Sequence, residues 1–187
     1  LVGYTNAGKS TLFNALTEAG VIARDQLFAT LDPTYRAVAL PQGGRIVLSD
    51  TVGFVSRLPT QLVTAFHATL EAVVEADAIL HVRDVSHPDH EAQAEDVSTT
   101  LADLGVAPED PRIFEVWNKA DQLAPAERMR WSERADGALV AAADGSGLDR
   151  LLAAISARIH AGRELWTARA LVADGAALAW LYARGEI

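Results

Sequence analysis

The sequence contains no cysteine and a single methionine in 187 residues. Without cysteine there is no disulfide framework, no Cys-ligated zinc and no iron–sulfur cluster. Aromatic residues make up only 6%, and basic residues are scarce: 16 Lys+Arg stand against 25 Asp+Glu, a net charge of −9. An acidic chain does not coat a polyanion through its overall field, so nucleic-acid binding by bulk charge is disfavoured, while a local basic patch stays open. No apolar run reaches the roughly 20 residues of a membrane span. No basic-then-apolar leader opens the chain, and there is no internal repeat or low-complexity stretch. What is present is a hydrophobic half, 50% of the residues, which is ample for a core. The expectation is a soluble, cytoplasmic, monomeric protein.

Hydrophobic period and breakers give the layout. Leu1-Val2 reads as the end of a strand, and an opening residue that is not Met suggests a segment of a longer polypeptide. Gly3 to Lys9 is a loop, and Ser10–Ala19 a helix with Leu12, Phe13 and Leu16 on one face. Short strands at Tyr35–Leu40 and Arg45–Ser49 flank a turn at Pro41-Gln42-Gly43-Gly44. Helices are expected over Gln61–Ala76, His90–Leu104, Pro125–Arg134 and Leu148–His160, and strands over Ala78–Val85, Ile113–Trp117 and Ala138–Ala142. Alternating strands and helices imply an α/β fold: a mostly parallel sheet with helices on both faces and one antiparallel edge strand.

Three segments carry chemistry. Gly3-Tyr4-Thr5-Asn6-Ala7-Gly8-Lys9-Ser10 fits G-x-x-x-x-G-K-[ST] between an apolar strand end and a helix. Backbone N–H groups of such a loop cradle phosphates, Lys9 reaches the β/γ-phosphates and Ser10 offers a hydroxyl to Mg²⁺. Thr11 follows on the same helix start. Asp50-Thr51-Val52-Gly53 ends an apolar strand as D-x-x-G. Asp50 would hold Mg²⁺, and Gly53 would offer its N–H to a γ-phosphate. Asn118-Lys119-Ala120-Asp121 ends another strand as N-K-x-D. The Asp121 carboxylate can accept from guanine N1–H and the 2-amino group, whereas adenine turns an acceptor toward it. Asn118 would bridge the base and the protein loops while the Lys119 stem covers the ring. The order of the three segments is the one a GTPase requires. Between them, Thr30 in Phe28-Ala29-Thr30-Leu31-Asp32 lies where a nucleotide switch supplies a threonine to Mg²⁺ and the γ-phosphate; Thr11, Thr34 and Thr51 compete by residue type.

These residues resemble a translation-factor-class P-loop GTPase, specifically the HflX family. Residues 1–17 are similar to that family's phosphate loop, Asp25 to Thr34 to its switch I, and Asp50-Thr51-Val52-Gly53-Phe54 with Leu58-Pro59 and Leu62 to Phe66 to its switch II. The strand end Asp84-Val85-Ser86-His87-Pro88 is also similar. The resemblance implies a G domain over residues 1–161 with a truncated first strand, then the opening of a small C-terminal domain over 162–187. It also implies GTP and GDP as ligands, Mg²⁺ as cofactor, and the large ribosomal subunit as partner, with stalled ribosomes split or rescued. In the last guanine-contacting loop, Ala141-Ala142-Ala143 replaces the family's Ser-Ala-Lys. The Ala142 N–H could still face guanine O6.

Hydrolysis is expected to be slow. The position after D-x-x-G, where a glutamine orients the attacking water in Ras, is Phe54. A partner is therefore expected to activate turnover. Lys9, Thr30 and Gly53 are the catalytic candidates, joined by Asn6, which by analogy with other glutamine-lacking GTPases is a candidate K⁺ ligand or else a loop-stabilising residue. Arg24, Arg36 and Arg57 flank the switches as RNA contacts, an internal finger or solvated surface. The five histidines have no metal-site spacing. Trp117, at the end of the base-reading strand, is expected in the core, and Trp131, Trp166 and Trp180 are too scattered for a stacking platform. Two other functions stand beside the leading one: a GTPase of RNA modification or ribosome assembly, and a nucleotide-bound scaffold with negligible catalysis.

Overall fold

The computed structural model describes residues 1–17, 34–51, 53, 72–161 and 174–184. After the phosphate loop, α1 spans Lys9–Thr17 and buries Leu12 and Phe13 on the face expected from their spacing. Two strands follow, β1 (Thr34–Ala39) and β2 (Arg45–Asp50), paired antiparallel from Thr34 opposite Asp50 to Ala39 opposite Arg45. The turn between them closes by Gly43 N–H donating to Leu40 O at 3.1 Å.

The parallel sheet comprises β3 (Ile79–Asp84), β4 (Ile113–Asn118) and β5 (Gly137–Leu139), in that spatial order. Leu1 and Val2 run between the two sets of strands. Val2 N–H donates to Leu80 O (2.9 Å) and Val82 N–H to Val2 O (2.8 Å), while on the other side the Leu1 nitrogen donates to Ser49 O (2.6 Å). The longer helices that follow are α2 (His90–Asp103), α3 (Pro125–Ser132), α4 (Leu148–His160) and α5 (Gly175–Arg184).

Strand alternation sorts the core into two layers. On one face Leu80, Val82 and Val116 pack with Leu12 and Phe13 of α1 and Leu151 and Ile155 of α4. On the other, Val2 and Ile79 meet Val97 and Leu101 of α2 and Val106 beyond it. Helices on both faces of a parallel sheet, with an antiparallel pair beside it, are the arrangement the sequence implies.

Boundaries shift by one to three residues. The strand expected over 138–142 ends at Leu139. Val140 still donates to Trp117 O (2.8 Å), but Ala141 turns away to bond Ser146 O (2.9 Å), because β4 has ended and the chain bends toward Asn118. Of the helix expected over 61–76, residues 72–76 are described: 72–74 are helical, and the helix gives way to a turn at Glu75, two residues before the expected end. The rest of it, Arg24, Phe54 and Arg57, and the Phe28 to Asp32 switch candidates lie outside the described residues.

Phe13 is fully buried and Val47 is 71% exposed. Phe13→Ala is expected to lose about 3–5 kcal/mol in equilibrium denaturation. Val47→Ser, the control, should change stability by less than about 0.5 kcal/mol.

Candidate functional site

The phosphate loop is held by its own lysine. The Lys9 ammonium donates back to the carbonyls of Gly3 (3.1 Å) and Tyr4 (3.0 Å), the two residues that open the loop. It is 6% exposed. Burial lowers its pKa to about 8, an effect the nearby Asp50 carboxylate partly offsets. Two neutral carbonyls leave this buried ammonium with little charge compensation of their own, which an anion beside it would supply.

Beside it, Ser10 Oγ donates to Asp50 Oδ2 at 2.6 Å. The first residue of the D-x-x-G segment thus meets the last residue of the phosphate loop, as their separate motifs anticipated. Asp50 is completely buried and Thr51 nearly so, its hydroxyl donating to Leu1 O (2.6 Å). Gly53 lies against the loop: a Cβ there would come within 3.0 Å of Thr5 Cα and 3.2 Å of Lys9 Nζ. Among the described residues there is no group of three or more His, Asp or Glu side chains that could hold a metal. A hydroxyl and a carboxylate side by side nevertheless fit Mg²⁺, which takes few protein oxygens and completes its shell with water and phosphate.

Asn118, at the end of β4, joins the segments. Its Nδ2 donates to Ala7 O (2.9 Å) in the phosphate loop, and its Oδ1 accepts from Ala142 N–H (3.0 Å) in the loop after β5. Its own carbonyl accepts from Val85 N–H (3.2 Å). Gly8 is required by the same contact. It has φ 92°, and a Cβ there would overlap the Asn118 amide. The Ala142 N–H expected to face guanine O6 is donated inside the protein to Asn118. Ala141 is buried as well, while Ala143 is exposed.

Lys119 adopts a left-handed conformation (φ 64°), the following Ala120–Gln122 form a 3-10 turn, and Asp121 is exposed at the rim. Asn6 is also left-handed (φ 60°) and exposed. Thr30 and its neighbours 28–32, and Val52, lie outside the described residues.

Sequence reasoning missed two features. Asp84 is bound to Lys119 Nζ at 2.8 Å; its place at a strand end, level with Asn118, was the available signal. The second is the neighbour of Trp117, which is fully buried as expected: Trp131 lies 5.1 Å from it, with the Arg134 guanidinium 4.8 and 4.9 Å from their rings. His87 serves its loop, accepting from Asp89 N–H (3.1 Å).

A family model described as 50S ribosome-binding GTPase matches residues 1–119. A GTPase HflX of Magnetococcus marinus is 49% identical over 188 residues, covering 100% of this chain and 43% of that protein. The chain belongs to the HflX family of GTPases. The human relative of this HflX-family chain, named putative GTP-binding protein 6, is 45% identical over 192 residues and is covered to 36% of its length. The chain thus spans about two-fifths of the curated relatives it matches. A solved GTP-binding protein from Sulfolobus solfataricus in complex with GDP aligns with TM-score 0.65 at 26% identity, over 84% of this chain and 50% of that one. Membership makes the P-loop G-domain fold plain.

Asn118→Ala would orphan the Ala7 carbonyl and the Ala142 N–H in a buried setting. The expected loss is about 2–4 kcal/mol in chemical denaturation, before any ligand is added.

Proposed function

We propose that this chain is the G domain, over residues 1–161, of a GTP-hydrolysing switch that works in the cytoplasm on the large ribosomal subunit and splits or rescues stalled ribosomes. The observation that carries the nucleotide part is the 2.9 Å bond from Asn118 Nδ2 to Ala7 O, which joins the phosphate cradle and the guanine reader into one pocket wall. The ribosomal part is supported by the family description and by the HflX name of the relatives.

In this reading Lys9 exchanges its two loop carbonyls for the β- and γ-phosphates. The loop N–H groups and the start of α1 orient the chain of phosphates. Ser10 and Asp50, with Thr30, would hold Mg²⁺, which supplies charge neutralisation at the phosphates when bound. The exposed Asp121 carboxylate takes guanine N1–H and the 2-amino group, and the Ala141–Ala143 loop closes the far side of the base. Gly53 and Thr30 sense the γ-phosphate, so its loss after water attacks phosphorus and the bond to the β-phosphate breaks would release both switch segments. Phe54 gives no amide to orient that water. Turnover is then slow until a partner completes the site, and Asn6, exposed at the loop, is the proposed ligand for a K⁺ that offsets developing charge.

The test is GTP hydrolysis by the full-length protein with Mg²⁺, with and without large ribosomal subunits, in K⁺ and in Na⁺. Strong stimulation by the subunits, abolished in Lys9→Ala, is expected. GTP binding without stimulation would end the ribosomal assignment, and equal rates in the two salts would end the role of Asn6.

Lys9 gives a pH signature. The free protein holds it near 8, against an ordinary value of 10.5. Between those values the unfolded chain binds more protons, so the stability of the free protein rises with pH across that window. A bound polyphosphate favours the charged form. GDP affinity should therefore be level below about pH 8 and fall above it, by at most about tenfold per pH unit. Calorimetry in buffers of different ionisation enthalpy at about pH 8.5 should register proton uptake on binding, absent in Lys9→Met.

A further inference from the structure

Asp84 is a buried carboxylate that none of the roles above uses. It ends β3 in register with Asn118 at the end of β4, and it is 9% exposed. An isolated carboxylate in that position would be strongly disfavoured, so its partners define its purpose. Oδ2 receives Lys119 Nζ at 2.8 Å. Oδ1 receives the backbone N–H and the hydroxyl of Ser86, at 3.1 and 2.5 Å. Ser86 Oγ in turn lies 3.1 Å from the Gln122 side-chain amide, in the turn that presents Asp121. Burial pushes the Asp84 pKa up, but the Lys119 and Ser86 hydrogen bonds outweigh it and hold the group below the ordinary carboxylate value. It stays charged wherever the protein is folded near neutral pH.

The other end of this ion pair is unusual. Lys119 and Asn6 are the two described residues other than glycine with positive φ, and Lys119 sits between the buried Asn118 and the exposed Asp121. A left-handed side-chain-bearing residue reverts unless its surroundings fix it. Asn118 is fixed on three sides by Ala7, Ala142 and Val85. Lys119 has Asp84.

We propose that Asp84 is a positioning residue for base recognition. By clamping the Lys119 ammonium it stretches the lysine stem along the wall where the base lies and holds the left-handed turn, thereby setting how long a guanine nucleotide stays bound. The inference rests on the reading of residues 118–121 as the guanine site. It adds a residue outside the N-K-x-D segment that acts through Lys119.

The experiment measures release of a fluorescent GDP analogue from the full-length protein. Asp84→Asn keeps the size of the side chain and an acceptor for Ser86 but removes the charge. Release should quicken about tenfold, as loss of a charge-assisted bond implies. Lys119→Ala should also release faster, and adding Asp84→Asn to it should bring no further increase. The ratio of GDP to inosine diphosphate affinity should match that of the wild type, because Asp121, not Lys119, meets the 2-amino group. If Asp84→Asn melts early, Ser86→Ala serves in its place: it loosens Asp84 from one side and should give faster release only where Lys119 is intact. Wild-type release rates in Asp84→Asn, a full additive effect on the Lys119→Ala background, or a changed GDP to inosine diphosphate ratio would overturn the proposal. Failure of the wild-type protein to bind GDP would instead overturn the guanine-site reading on which it stands.

Discussion

The side-chain amide of Asn118 is the interaction on which the site depends. It donates in one direction to the phosphate loop and accepts in the other from the loop after β5, and both bonds are buried. A single planar group with one donor end and one acceptor end thereby fixes the distance and the angle between three segments that are far apart in sequence. Aspartate has no donor for Ala7 and leucine has neither function, so the geometry depends on the amide itself. The sheet brings Asn118 to the right place, since β4 is central and flanked on both sides by parallel partners. The amide then converts the ends of that sheet into a site.

Charge follows the same economy. The chain is acidic overall, at −9, yet its phosphate loop is built around one buried cation facing one buried anion. Lys9 is kept in a place where its charge is costly when nothing negative is bound, and its bonds to Gly3 and Tyr4 offset only part of that cost. A cation preorganised in this way would meet a polyanion locally, independently of the net charge of the chain. The net charge of the whole therefore says little about the polarity of the pocket, which is why the composition disfavours bulk binding and leaves a local anion site open.

Much of this was legible in the sequence because the chemistry is local. The loop of residues 3–10, the Asp50 to Gly53 segment and the Asn118 to Asp121 segment each need particular residue types at fixed spacing, and each sits at a strand end as its motif demands. Short apolar runs bounded by breakers located β3 and β4, and the Leu12, Phe13, Leu16 spacing located α1. What could not be read was partnership across the fold. Nothing in the spacing of Asp84 and Lys119 says that β3 and β4 end level, and nothing in four dispersed tryptophans says that two of them stack with Arg134. The fate of the Ala142 N–H was equally hidden, because a backbone donor carries no sequence signal and its acceptor lies 24 residues away.

The contact between Gly8 and Asn118 has a consequence for how this sequence can vary. The amide fills the volume that a methyl group at position 8 would need, and the backbone there is already left-handed. Substitutions at the two positions are therefore not independent. Shortening residue 118 would open space for alanine at 8, yet it would also strand two buried polar groups, so the second change cannot repair the first. A random library spanning both sites should contain almost no compensated pairs: the two positions form a lock with one combination, and variation must enter the pocket through the exposed residues at its rim.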